Sequence, residues 1–175
     1  MKLQYNLVTW KYYKLIHKWR SSKKINSLMT TNVSKDYDSH LKWISESNKD
    51  IKFDHWIFSI NSEPSGYLSL KLNSKYNASF GYYFVNKKLP IGSFMPLFFY
   101  NFVFKKTCIK KLTGQVLKKN KNIVKLHLSC KYEIIDENRY SYVMELKKNN
   151  WDFDKYSNFN LKFPIRNKLK YLINS

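Results

Sequence analysis

The segment Ser79-Phe80-Gly81-Tyr82-Tyr83-Phe84-Val85, the loop Pro90-Ile91-Gly92-Ser93, the apolar run to Phe104, and Leu112-Thr113-Gly114-Gln115-Val116-Leu117 with Asn120 behind it decide the fold. The first and last of these carry the aromatic and β-branched residues of strands. Pro and Gly break the chain between them, and the apolar run, too long for a strand, predicts a buried helix. Asn120 then opens a second helix, since its side chain suits a helix start. The order is strand, loop, helix, strand, helix.

Upstream, Leu3, Tyr5 and Leu7 alternate within Met1 to Thr9, which predicts a first strand with one face in the core. Tyr12, Leu15, Ile16 and Trp19 follow helical spacing in a helix ending near Arg20-Ser21-Ser22, and Ile25, Leu28 and Met29 begin a short second one. Ser34 to Ser47 predicts a third helix, with His40, Leu41, Trp43 and Ile44 facing inward. Phe53 to Ile60 and Gly66 to Leu72 form a hairpin about a turn from Asn61 to Ser65 that contains Pro64, and Asn77 to Val85 adds the next strand. Downstream, Tyr132 to Ile135 and Tyr140 to Leu146 read as two more. The class is mixed α/β, a mostly antiparallel central sheet flanked by helices. One domain spans residues 1–146; residues 147–175 form a polar extension with scattered aromatics and a helix near Arg166 to Ile173, packing on the domain or supporting a homodimer.

With 175 residues, 43% of them hydrophobic and 18% aromatic, the chain buries one good core. Its formal charge of +20 suits a nucleic-acid partner, but only Arg20, Arg139 and Arg166 among the 32 basic residues are arginines, and the lysines are spread along the whole length. Specific readers of nucleic acid cluster their basic residues and rely on arginine's bidentate fork, so nucleic acid is not the expected partner. The charge still draws in polyanions such as nucleotides and coenzyme A over a Debye length of about 10 Å. Cys108 and Cys130 lack metal-ligand spacing, so no metal is expected and a reducing cytoplasm is the plain inference. Lys11, Lys14 and Lys18 interrupt any signal-peptide core. The run from Leu89 to Phe104 is broken by Pro90, Pro96 and Asn101 and falls short of the roughly 20 residues a membrane span needs.

The central block resembles the acyl-CoA core of the GCN5-related N-acetyltransferases. Val116-Leu117-Lys118-Lys119-Asn120, then Leu126-His127, then Lys131-Tyr132 fall at the intervals of that family's second strand and following helix. The resemblance implies acetyl-CoA as cosubstrate and a splayed strand pair, Phe80 to Val85 and Thr113 to Leu117. In the gap, the backbone of Phe80, Gly81, Tyr82, Tyr83, Phe84 and Val85 would hold the pantetheine arm like an added strand. Gly92 and Ser93 lead into a helix N-terminus, where backbone N–H groups and the helix dipole suit a pyrophosphate. Asn120 is implied as a further cofactor contact. Two positions depart from the family pattern. Lys87-Lys88-Leu89-Pro90-Ile91-Gly92 keeps only the last glycine of the family's loop, with Lys87 at its first position. His127 replaces a tyrosine proposed to protonate the departing thiolate. An imidazolium of reference pKa about 6.5 has the acidity for that step, while a packed helix residue explains His127 equally.

Trp19-Arg20, Met29, His40 before Trp43, Trp56-Ile57-Phe58-Ser59-Ile60, Gly66-Tyr67-Leu68 and Ala78-Ser79-Phe80-Gly81-Tyr82 narrow the comparison. They are similar to the nucleotide-sugar amino-acetyltransferases of pseudaminic acid biosynthesis. That likeness implies acetylation of a primary amine on a UDP-linked 4-amino-4,6-dideoxy sugar, with flagellin or surface-glycan assembly as the setting. Arg20 and His40 would meet the diphosphate, and Met29, Trp43 and Tyr82 would shape the sugar pocket. The implied chemistry is direct attack of the amine, with a backbone N–H near Tyr82 stabilising the oxyanion; His40, Glu63 and ordered water are candidates for the base. Other acceptors, a protein N-terminus or an aminoglycoside, fit the general core, and a non-catalytic basic binding module would reuse the same fold.

Overall fold

The computed structural model describes residues 1–31, 36–85, 90–159 and 161–165. Lys87 and the helix expected near Arg166 lie outside the described residues. Seven strands form one sheet in the order β1-β2-β3-β4-β5-β7-β6. Strands β1 (Leu3–Leu7), β2 (Phe53–Ile60), β3 (Glu63–Leu72) and β4 (Asn77–Phe84) pair with one another in an antiparallel run. Strand β5 (Lys111–Leu117) joins β4 in parallel, and β7 (Ser141–Lys147) and β6 (Glu133–Glu137) complete the far edge. Helices α1 (Trp10–Ser21), α2 (Lys23–Asn26) and α3 (Tyr37–Lys49) precede β2, α4 (Met95–Lys106) connects β4 to β5, and α5 (Lys121–Ser129) connects β5 to β6.

The β2–β3 hairpin is tighter than its sequence implies. Asn61 and Ser62 both have positive φ, 49° and 69°, so the turn is a two-residue one whose twist matches the flanking strands. Pro64 lies inside β3, at the register shift between Phe58 and Ser59, where a strand tolerates a residue without an N–H.

Two cores lie on opposite faces of the sheet. On one face α4, β-strand side chains such as Trp56, Phe58 and Phe80, and Trp151, Tyr156 and Phe163 from beyond β7 form a single buried cluster. Helix α4 is apolar all round and therefore needs cover on every side. The segment after β7 covers its outer surface: Phe163 stacks on Phe102 at 4.5 Å and on Tyr5 at 3.9 Å, and Phe159 lies 5.1 Å from Phe98. Asn101, the polar residue in that apolar helix, accepts from Trp151 Nε1 at 2.7 Å and donates to the carbonyl oxygens of Tyr156 and Phe159. On the other face a smaller cluster of Tyr13, Ile16, Ile44, Ile57, Tyr67 and Tyr83 seats α1 and α3. In α3 the residues turned inward are His40, Ile44 and Ser47, one helical turn apart; Trp43, expected among them, is 47% exposed because it lies off that stripe. No helix among the described residues is long and apolar enough to cross a membrane.

Candidate active site

Strands β4 and β5 pair only over Asn77–Lys111, Ala78–Leu112 and Ser79–Thr113, and then part. Beyond that point β5 is held by β7 and β4 by β3, so neither strand can close the gap. The direction of the released groups follows from the alternation of antiparallel pairing. Val85 N–H donates to Ser65 at 2.8 Å, so odd-numbered β4 residues bond to β3 and even-numbered ones face β5. Thr113 Oγ1 accordingly reaches the Ala78 carbonyl, and a side chain at Gly114 would meet the Phe80 carbonyl at 3.5 Å. The backbone groups of Phe80, Tyr82 and Phe84 thus face the gap, while Gly81, Tyr83 and Val85 turn theirs to β3.

A small pocket of about 70 Å³ occupies the parting, lined by Tyr82, Gly114, Gln115, Asn120, Ile123 and His127 among others. It adjoins a cavity of about 810 Å³ on the α1/α3 face, with which it shares Met29, Thr30, Phe80, Gly81, Tyr82, Gly114 and Gln115. Arg20, His40 and Trp43, separated by up to two helices in sequence, meet in this larger cavity with Tyr67, Lys71 and Tyr83.

His127 is 2% exposed, stacked on Tyr132 at 4.4 Å, and its Nε2 lies 3.2 Å from the Tyr82 hydroxyl. Its Nδ1 is buried without a hydrogen-bond partner among the described residues. An orphaned donor is costlier than an orphaned acceptor, which favours the tautomer with the proton on Nε2. That N–H donates to the Tyr82 oxygen and leaves the Tyr82 hydrogen free for the pocket. Burial lowers the His127 pKa to about 4 and raises that of Tyr82 well above its ordinary value. At neutral pH His127 is therefore neutral, and the imidazolium implied by its reference pKa is scarce.

Arg20, in the last turn of α1, is buried at the cavity wall. Its Nη2 donates to the Thr31 carbonyl at 2.8 Å and to Thr31 Oγ1 at 3.0 Å, while the buried Nη1 has no hydrogen-bond partner among the described residues. Desolvation lowers its pKa, against the favourable field of Tyr83 and Tyr67. No carboxylate lines either pocket among the described residues. His40 touches His17 and Trp43 at ring distances of 5.1 and 5.5 Å, and burial, then the charges of His17 and Arg20, lower its pKa to about 4.

Gly92 and Ser93 form part of a 3-10 turn before α4 and line neither pocket. A side chain at Gly92 would come within 2.5 Å of the Phe84 ring, so this glycine makes room for packing. Asn120 caps α5 without a side-chain hydrogen bond, which leaves its amide available to the pocket. Glu63 is exposed and away from both pockets. Sequence reasoning missed Tyr67, Ser69 and Lys71 of β3; their alternation, which places all three on one face, was the available clue.

A parallel pair that parts after three residues, between an antiparallel run and a helix-crossed strand, defines the GCN5-related N-acetyltransferase fold. No protein-family model matches the chain. It is 23% identical over 134 residues to acetyltransferase PseH of Campylobacter jejuni, covering 77% of this chain and 85% of that protein. The crystal structure of Campylobacter jejuni PseH with acetyl coenzyme A aligns with a TM-score of 0.66 at 19% identity, covering 83% of this chain and 99% of the other. Spermidine N-acetyltransferase from Vibrio cholerae aligns at 0.75 and 12% identity over 85% and 96% of the two chains. FdhC, a nucleotide-linked sugar acetyltransferase of the same fold, aligns at 0.73 and 18% identity over 90% and 94%. The sequence match and the structural alignments agree on the fold, that of the GCN5-related N-acetyltransferases.

Proposed function

We propose that this protein is an acyl-CoA-dependent N-acetyltransferase whose acceptor is a primary amine on an anionic molecule, a UDP-linked amino-deoxy sugar fitting best. The observation that carries the choice of acceptor is the charge of the cavity. Arg20 and Lys71 both line it, and no carboxylate does among the described residues. Such a wall repels polyamines and aminoglycosides and attracts a diphosphate. Aromatic side chains of Trp43, Phe53, Tyr67 and Tyr83 line the rest, a surface suited to a deoxy sugar and a base. The likeness to PseH and FdhC points the same way.

Acetyl-CoA fits the parting of β4 and β5, where the free backbone groups of Phe80, Tyr82 and Phe84 offer the hydrogen bonds of an added strand. Bound there, it supplies an activated acyl group at the junction of the two pockets. The Tyr82 N–H faces that junction and stabilises negative charge on an acyl oxygen. The Tyr82 hydroxyl, oriented by His127, hydrogen-bonds the leaving sulfur. The same dryness that raises the phenol pKa also makes a bare thiolate costly, so the two groups remain matched as donor and acceptor. His127 acts here as a positioning residue. Holding both substrates in one continuous cleft contributes orientation, the largest part of which needs no side-chain chemistry. Two free cysteines accord with a cytoplasmic setting.

The test is thiol release from acetyl-CoA with UDP-linked amino sugars, spermidine, an aminoglycoside and N-terminal peptides as competing acceptors. Turnover with the nucleotide sugars above all others is expected. Preference for spermidine or peptide would remove the sugar reading while leaving the acetyltransferase.

A further inference from the structure

The site described so far has a proton donor but no group to take the proton from the acceptor ammonium. Tyr67 of β3, on the cavity wall, is hydrogen-bonded to His55 of β2 behind it. His55 is fully buried, and its Nδ1 lies 2.6 Å from the hydroxyl of Tyr67. The Tyr67 ring stacks on Tyr83 of β4 at 5.1 Å, and Tyr67 itself lines the large cavity. Phe53 stacks on the His55 ring at 5.0 Å and Trp43 meets it edge-on at 6.1 Å, so the imidazole reaches the cavity through Tyr67. The charged and titratable groups facing the phenol are Arg20 from α1 and Tyr83 from β4, with His40 behind Trp43 on α3.

We propose that Tyr67 and His55 form the proton-accepting relay of acetyl transfer, Tyr67 as the group that touches the acceptor amine and His55 as the base behind it. This rests on the acetyltransferase reading above. In the relay, neutral His55 carries its proton on Nε2 and accepts the Tyr67 hydrogen bond at Nδ1, so the acceptor ammonium gives one proton to the Tyr67 oxygen while the Tyr67 hydrogen passes to His55 Nδ1. The nitrogen lone pair so released forms the C–N bond to the acetyl carbon, and the C–S bond of the thioester breaks with its electron pair on sulfur. The second nitrogen proton balances that thiolate through Tyr82, giving amide and thiol. The proton on His55 returns by way of Tyr67 once products leave. Burial holds the Tyr67 phenol well above its ordinary pKa, against smaller opposing effects of Ser69 and Arg20, so Tyr67 conducts a proton rather than ionising.

The experiment compares wild type with Tyr67→Phe, which removes one oxygen, and His55→Gln, which keeps an acceptor for the Tyr67 hydroxyl but cannot take its proton. Both are expected to lower kcat at neutral pH about 100-fold, the scale of general base catalysis, with little change in KM for either substrate. The deficit should shrink as pH approaches the pKa of the acceptor amine, because free amine then needs no relay. Wild-type kcat in Tyr67→Phe overturns the relay. So does a loss that stays constant with pH, which would mark misplacement of the acceptor. Full activity in His55→Gln with a defective Tyr67→Phe overturns the role of His55. Absence of thiol release by wild type with every amine would instead overturn the acetyltransferase reading itself, and the relay with it.

Discussion

The Tyr82 hydroxyl lies 3.2 Å from His127 Nε2, joining the splayed end of β4 to α5 across the small pocket. The two residues are 45 positions apart in sequence. His127 is held by Tyr132 beneath it and Tyr82 above, so it orients the phenol.

Replacing His127 with Phe keeps the stack on Tyr132 and removes one hydrogen bond. We expect kcat to fall about tenfold, the worth of a single neutral hydrogen bond, with acetyl-CoA KM little changed. Tyr82→Phe should lose more, since it removes the donor itself. Steady-state kinetics of the two variants check the order; an equal or greater loss for His127→Phe would return the principal role to the histidine.

Arg20→Lys keeps the charge and forfeits the planar fork that bonds Thr31 at the cavity wall. The acceptor KM should rise about 10- to 100-fold, as for loss of a charge-assisted hydrogen bond, with acetyl-CoA KM unaffected. Initial rates with each substrate varied in turn measure this.

Stability should fall in mildly acidic solution. His40 and His127 both have folded pKa values lowered to about 4, against about 6.5 unfolded. The unfolded chain binds more protons between these values, so the contribution is complete above about pH 6.5 and is lost as pH falls towards 4. For His127 alone this amounts to something on the order of 3 kcal/mol. Thermal melting from pH 7 to 4 checks it, and His127→Phe should flatten the curve.

Asn101→Leu should loosen the segment after β7. The substitution leaves Trp151 Nε1 without its acceptor and the carbonyls of Tyr156 and Phe159 without a donor, inside a buried cluster. A loss of about 3 kcal/mol is expected from orphaned buried groups. Urea denaturation measures the loss, and limited proteolysis should cut first between Trp151 and Ile165.

Much of this molecule was legible in the chain because local preferences and their global use agree. The alternating aromatic strands, the apolar helix between Gly92 and Cys108 and the break at Asn120 each dictate an element from neighbours within a few residues. Their order then leaves β4 and β5 parallel with a helix between, and the parting follows. What tertiary structure alone decided is the state of the polar groups. Nothing near His127 in sequence says that burial against Tyr132 and Phe80 will keep it neutral, and nothing near Arg20 says that it will line a cavity without a carboxylate among the described residues. Likewise His55 and Tyr67 acquire their shared hydrogen bond only from the register of β2 on β3. A side chain's charge and partners depend on the water removed and the groups brought in by elements distant in sequence. Order and periodicity therefore carry the fold, and the chemistry of the cleft comes from packing.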